Sequence, residues 1–354
     1  MMSIIDLYIG RMILATTTLS LSVLVGLSGL IKFVEQLRYV GRGSFDTSDA
    51  AMFVLFSIPR DIEMFFPMGV LLGGLIGLGM LASNSELTVM QASGLSRFNI
   101  IASAMKTVLL LMLVVTALGE FVAPAAERHA REMRSQALSG GSLLRDANGL
   151  WARDGDRFVH IQQLLEADQL GDVTLYEFKD RKLTLMLHAE RATWQDEGWH
   201  LEEVKETRID AGGTSTTSRA SAVMGSELTP DKLGVVTVKP EALSLQGLLQ
   251  YLDYLENNRQ DASRYWLAFW RKLLSPLTLA VMLLVACSFV FGPLRSVTMG
   301  ARVLLGVITG FGFFLSSEIF GPISLVYEVP PVLGASLPSL LFIGLSVWLL
   351  RRQA

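Results

Sequence analysis

Residues 12–31 run without a single charged side chain, and so do 64–82, 273–294 and 329–350. A helix crossing about 30 Å of hydrocarbon needs about 20 apolar residues, so each run is long enough to span a bilayer. Two further runs carry one charge each: 98–119 has Lys106 near its start, and 303–327 has Glu318. Backbone groups in lipid must pair internally, which leaves only helices or closed barrels. Barrel strands alternate apolar and polar residues, and these runs do not. The spacing therefore predicts six membrane-spanning helices. The apolar run after Arg11 is too long for a signal peptide and ends without a small-residue cleavage pattern, so no cleavable leader is expected.

Only 18% of the chain is charged, against about 25% in soluble domains. The deficit is confined to the runs. Between them lies a polar middle section, residues 125–264, flanked by helical sections at 1–124 and 265–354. In it Phe158, His160 and Gln162 alternate with Val159 and Ile161; Val173 and Leu175 repeat at two residues, as do Leu183, Leu185 and Leu187. Turn signals at Asp154-Gly155, Glu197-Gly198 and Gly212-Gly213 separate these stretches. Period-2 alternation broken by turns predicts an antiparallel β-domain. Leu245, Leu248, Leu249, Leu252 and Leu255 then follow a helical period behind Ser244, a suitable N-cap. Tyr265, Trp266, Phe269 and Trp270 mark the return to the membrane as an interfacial belt.

Several classes of chemistry have no sequence support. The single cysteine, Cys287, rules out an internal disulfide framework. No G-x-x-x-x-G-K-[ST] loop is present, so the chain is not expected to hydrolyse ATP. His129, His160, His188 and His200 lack metal-ligand spacing and read as ordinary strand or surface residues. No catalytic residue, metal or cofactor is expected. The net charge of −3 says little about partners, because local clusters matter more than the sum.

Three local features remain. Gly69, Gly73 and Gly77 recur every four residues in the second run, as do Gly306 and Gly310 in the fifth. This spacing suits close helix packing, or a seam that slides or opens. The loop 84–97 offers Ser85 as a cap, Glu86 at the positive end of a short helix, then Leu87, Met90 and Gln91 on one face, with Gly94 to end it. Such a helix either lies flat among lipid headgroups or docks in a groove of a partner. Lys32, Arg38, Arg42, Arg60, Arg131 and Arg134 gather at the domain-side ends of the runs. They suit lipid headgroups in general, or one polyanionic amphiphile in particular, since Arg and Lys bind phosphate by charge-assisted bonds. Counting basic residues on either side does not decide orientation.

The segments SGLIKFVEQL, SELTVMQASG, GGSLL, GLWARDGDRFVHI, LTPDKLGVV and FGPLRSV closely resemble those of the LptF/LptG family of lipopolysaccharide export permeases, its G-type members more than its F-type. The resemblance is collinear from the first run to Arg352. It implies an inner-membrane permease whose inserted domain is a periplasmic β-jellyroll. It also implies pairing with the paralogous permease LptF, two copies of the ATPase LptB, and a bitopic membrane protein, LptC. The cargo implied is lipopolysaccharide, extracted from the inner membrane and passed to a periplasmic bridge. Residue by residue, Lys32, Arg38, Arg60, Arg131 and Arg134 match basic positions around the lipid cavity. Tyr39 stands where some relatives carry a further basic residue. Glu86, with Leu87 and Met90, matches the coupling helix, 84–97, that meets the ATPase. Spans one and five resemble the lateral gate. Glu318 matches no functional position and is expected at the cavity mouth or against a polar partner.

Two other classes compete. In one, the chain transmits an ATPase's motion to a periplasmic partner without carrying lipid. In the other, it is a membrane enzyme acting on lipid, which would need convergent acids, bases or a metal that the sequence does not supply.

Overall fold

The computed structural model describes residues 4–352 apart from 140–148, 155–156, 167, 180–181, 196–197, 211, 227, 231–232, 234–239, 259 and 292–297. The GGSLL motif, most of FGPLRSV and part of LTPDKLGVV lie outside the described residues, as do Gly155, Glu197 and the end of the fourth apolar run. Among those described, six helices are long and apolar enough to cross a membrane. They are α1 (Ile4–Leu37), α2 (Thr47–Ser83), the continuous helix 97–138, α7 (Ser263–Val290), α8 (Met299–Val326) and α9 (Pro331–Arg351). All but the last begin before their apolar runs, and the first and third also end well beyond theirs, because backbone hydrogen bonding continues where the side chains turn polar.

The chain divides into two compact units. The first comprises residues 1–34, 54–127 and 263–354. Its core is formed by Ile9, Ile13, Val70, Leu71, Leu75, Leu78, Ala104, Val108, Met282, Leu283 and Ala286, all without exposed surface. The short helix α3 (Glu86–Ala92) joins α2 to α4 (Arg97–Ala117). A π-turn at Leu118–Val122 interrupts the third span before α5 (Ala123–Ser139). Such turns insert one extra residue and re-aim a carbonyl.

The second unit comprises 35–53 and 128–262. Its antiparallel sheet runs β1 (Leu150–Asp154), β2 (Arg157–Glu166), β3 (Gln169–Lys179), β4 (Lys182–Gln195), β5 (Gly198–Asp210) and β6 (Gly213–Met224), in that spatial order. Every pairing among the described strands is between chain neighbours, the up-and-down arrangement of a meander. Val159, Ile161, Val173 and Leu175 are buried, on the face that the alternation predicts. The helix α6 (Leu245–Asn257) starts as expected: the Ser244 hydroxyl accepts from the Gly247 amide at 3.0 Å. Leu249, however, is 48% exposed, and Tyr251 and Tyr254 fill the buried face instead. The Tyr254 hydroxyl donates to the Arg153 carbonyl at 2.6 Å, tying α6 to β1. The loop before α2 is fixed by Gly43. Its φ is +60°, and a Cβ there would collide with the Ala137 carbonyl.

Candidate functional site

The basic residues singled out in the sequence fall in both units: Lys32 and Arg60 in the first, Arg38, Arg131 and Arg134 in the second. In the helical unit both cations are already paired. Lys32 on α1 reaches Asp61 on α2, Nζ to Oδ1 2.6 Å, and Asp61 is 2% exposed. The other Asp61 oxygen accepts from Ser28 at 3.2 Å, one turn before Lys32. Arg60 donates to Glu63, one turn along its own helix, at 2.8 Å. Burial makes these partners obligatory, since an isolated carboxylate in a low-dielectric interior is strongly destabilised.

Glu63 belongs to a larger polar joint. Lys272 on α7 lies 3.8 Å from its carboxylate and donates to the Gly119 carbonyl at 2.8 Å, within the π-turn. A Cβ on Gly119 would sit 2.6 Å from Glu63 Oε1, so glycine is what lets the carboxylate approach. The neighbouring Arg271 points to α8, donating to the Ser317 carbonyl and lying 3.7 Å from Glu318. Glu318 thus has the polar partner expected of an acid in a span.

The seam between α1 and α2 is built differently at its other end. Thr16 donates to the Gly73 carbonyl at 2.7 Å. A Cβ on Gly73 would strike Thr17, one on Gly77 would lie 2.9 Å from Thr16 Oγ1, and one on Gly69 would touch Leu21. The glycine stripe is therefore a close helix contact. On the opposite side of α2, Gly306 and Gly310 of α8 meet Leu72, Leu75, Met68 and Leu71. Arg302, one turn earlier, donates to the Gly79 carbonyl at 2.6 Å.

In the second unit the arginines are held by rings. The Arg134 guanidinium lies 4.5 Å over Tyr39 and 5.5 Å from Phe53, and Arg42 is 5.4 Å from the same tyrosine. Arg134 Nε is buried without a hydrogen-bond partner among the described residues. Arg131 is half-buried one turn away on α5, and Arg38 is exposed.

The short helix expected within 84–97 is present as α3, Glu86–Ala92, and its cap differs. Ser85 has φ +63° and its side chain caps nothing. Glu86 is instead held by Tyr8 of α1, whose hydroxyl donates at 2.7 Å, and by Asn84 at 3.4 Å. Leu87 is 5% exposed within the helical core, and Met90 packs against that core. These two fasten α3 to its own bundle, while Val89, 66% exposed, is the apolar residue turned outward. A second cross-link, Lys106 Nζ to the buried Asp6 at 2.7 Å, ties α4 to α1 near the same end.

The model of the family described as lipopolysaccharide export system permease LptF/LptG matches residues 7–352. The chain belongs to the LptF/LptG family. It is 48% identical to the lipopolysaccharide export system permease protein LptG of Escherichia coli K12, with 99% of each chain covered. Identity to the LptG protein of Haemophilus influenzae is 46%, over 100% of this chain and 99% of that one. The LptF protein of Escherichia coli K12 is 26% identical over 158 residues, 43% of each. A multi-pass helical protein with an inserted antiparallel β-domain is thus a member of this permease family on its whole length.

Asp61, Glu63, Ser28 and Lys272 were not singled out as site residues by sequence reasoning. Carboxylates beside an apolar run were the available signal: Asp61 and Glu63 flank Ile62 immediately before the second run. Nothing local in the sequence couples them to Lys32 or Lys272, which lie 29 and 209 positions away.

Proposed function

We propose that this chain is a permease subunit of an ATP-driven lipopolysaccharide exporter, drawing the lipid from the inner membrane and passing it toward a periplasmic bridge. The full-length relation to LptG proteins carries this reading. In it the β-domain faces the periplasm, LptF is the paralogous permease, two copies of LptB hydrolyse ATP, and LptC is the bitopic partner. Lys32, Arg38, Arg60, Arg131 and Arg134 supply cations to the phosphorylated headgroup. The exposed apolar sides of α1 and α8, which include Leu27, Leu30, Phe311 and Ile319, receive acyl chains. Burial at about 25 cal/mol per Å² gives most of the affinity, and charge orients the lipid.

Coupling follows from how α3 is held. A partner seated on Val89 and Glu86 moves a helix that Leu87 and Met90 lock into the bundle. From Asp61 to Ser83, α2 runs about 33 Å at 1.5 Å per residue, so displacement at α3 reaches the level of the Lys32–Asp61 pair through one continuous element.

The test is reconstitution of the chain with the paralogous permease and the ATPase in nanodiscs, with photocrosslinking to lipopolysaccharide. ATP-dependent loss of the crosslink and transfer to an acceptor is expected. ATP turnover that drives motion of the β-domain with no lipid crosslink at any position would replace this reading with force transmission alone.

A further inference from the structure

In this structure the single positive charge of Lys32 is already matched by a carboxylate. Its ammonium sits 2.6 Å from Asp61 while 30% of its side chain stays exposed. Asp61 is nearly fully buried, and both of its side-chain partners, Lys32 and Ser28, come from one face of α1. The carboxylate therefore does two things. It holds Lys32 in a fixed place, and it clamps this end of α1 to α2. Elsewhere the two helices meet through Thr16 and Thr17 on Gly73 and Gly77, a contact of small atoms with no charge to lose. The seam has one end that is sterically locked and one end that is ionically locked.

We propose that Asp61 is a displaceable counterion: a phosphate dianion of the lipid cargo takes Lys32 over, and the unpaired buried carboxylate then opens the α1–α2 seam at that end. The proposal rests on the reading of Lys32 as a headgroup contact. A dianion outcompetes a single carboxylate for an ammonium, because it offers twice the charge and more acceptor oxygens. Once Lys32 has gone, Asp61 faces a low-dielectric surround with only the Ser28 hydroxyl. That state is strongly disfavoured, and separation of α1 from α2 relieves it by admitting water. A ligand shifts a conformational equilibrium only by binding one state better. Here the difference is explicit, since the phosphate meets an uncompensated Lys32 charge only when the pair is broken. Asp61 is thus a positioning residue that sets how strong an anion must be before α1 yields. Pro59, inside α2 and two residues before Asp61, removes a backbone bond where the seam would part.

The experiment uses the chain assembled with its partners in nanodiscs, with buried Cys287 exchanged for alanine and spin labels at Ile31→Cys and Leu55→Cys. Both positions are more than half exposed, on either side of the pair. Label distances are read by pulsed electron paramagnetic resonance, and lipid occupancy by photocrosslinking, with and without lipopolysaccharide. The parent is expected to shift to longer distance with lipopolysaccharide and to stay put with inorganic phosphate alone. Lys32→Met should show the long distance without lipid, whereas Asp61→Asn, which leaves no buried charge, should keep the short distance with and without lipid. The double variant, which removes both charges, should return to the short distance and ignore lipid; this rescue separates ion pairing from misfolding. Lipid crosslinking in the parent with no distance change overturns the proposal and leaves the export reading intact. An equal shift with inorganic phosphate also overturns it, because the trigger would then be any free anion. Absence of crosslinking altogether removes the headgroup reading beneath it.

Discussion

The two units hold their cations in opposite ways. In the helical unit Lys32 is bound to a buried carboxylate, and its charge is cancelled on site. In the second unit Arg134 lies across Tyr39 and Phe53, and its charge is cradled by rings with no acidic partner among the described residues. A ring face is a weak quadrupole, worth about 0.5–1 kcal/mol at partly exposed sites, whereas a buried carboxylate is a full charge with nowhere else to go. In the proposed export role, an arriving phosphate would meet a ring-held guanidinium in one place and would have to exchange a partner in the other. Tyr39 offers its ring to both Arg42 and Arg134.

Breaking the buried pair should have the largest effect, and it should be asymmetric. Lys32→Met leaves Asp61 buried without a counterion and is expected to cost about 3 kcal/mol, at the low end for such a loss. Asp61→Asn keeps the shape and leaves a cation that can reach solvent; it should cost about 1 kcal/mol. Thermal unfolding of the purified variants would show the order. Equal losses would mean that Asp61 is better hydrated than its 2% exposure implies.

Next in size is Gly119→Ala. Its methyl group would displace Glu63 from beside the π-turn, disturbing Arg60 and Lys272 together. Overpacking of this kind costs about 1–3 kcal/mol. A compensating Glu63→Ala change, which makes room, should recover part of the loss only if sterics rather than charge dominate.

Tyr39→Ala tests the aromatic cradle. Stability should fall by about 0.5–1 kcal/mol, and crosslinking of lipid near Arg134 should fall further than stability does. Arg134→Lys keeps the charge but not the flat stacking surface; if it crosslinks like the parent, the rings merely pack.

The smallest effect concerns the start of α2. Asp46 accepts from the Asp49 amide at 3.0 Å and from the Ser48 hydroxyl at 2.7 Å, while the Asp46 amide donates to Asp49. The Ser48 bond, then the Asp49 amide, holds its carboxyl below the usual aspartate range. A depressed folded-state value means the contribution is fully present above the unfolded value of about 3.9. It is lost as pH falls through the lower folded value. Hydrogen exchange at residues 47–50 should quicken in that acid window, and Asp46→Ala should remove the pH dependence.

Six spans and an antiparallel insert were legible from the chain because each is a statement about solvent. Long uncharged runs have only one way to satisfy their backbone in lipid, and period-2 alternation has one pleated solution with a wet and a dry face. Ser244 was legible too, since an N-cap depends on residues three apart. The basic side chains could be named, but not who holds them. Lys32–Asp61, Glu63–Lys272 and Tyr8–Glu86 join residues 29, 209 and 78 positions apart, and only helix packing brings such pairs within 4 Å. Even the pleat escaped local reading at one level of the sheet. There the buried apolar side chains step by three, Leu170 to Val173 and Leu201 to Val204. Asp172 and Glu203 at that level take φ near +50°. Alternation assumes an unbroken strand, and a left-handed residue shifts its phase by one. The solvent preference of each segment was written along the chain; the partners of its charges were set by which helices and strands came to lie side by side.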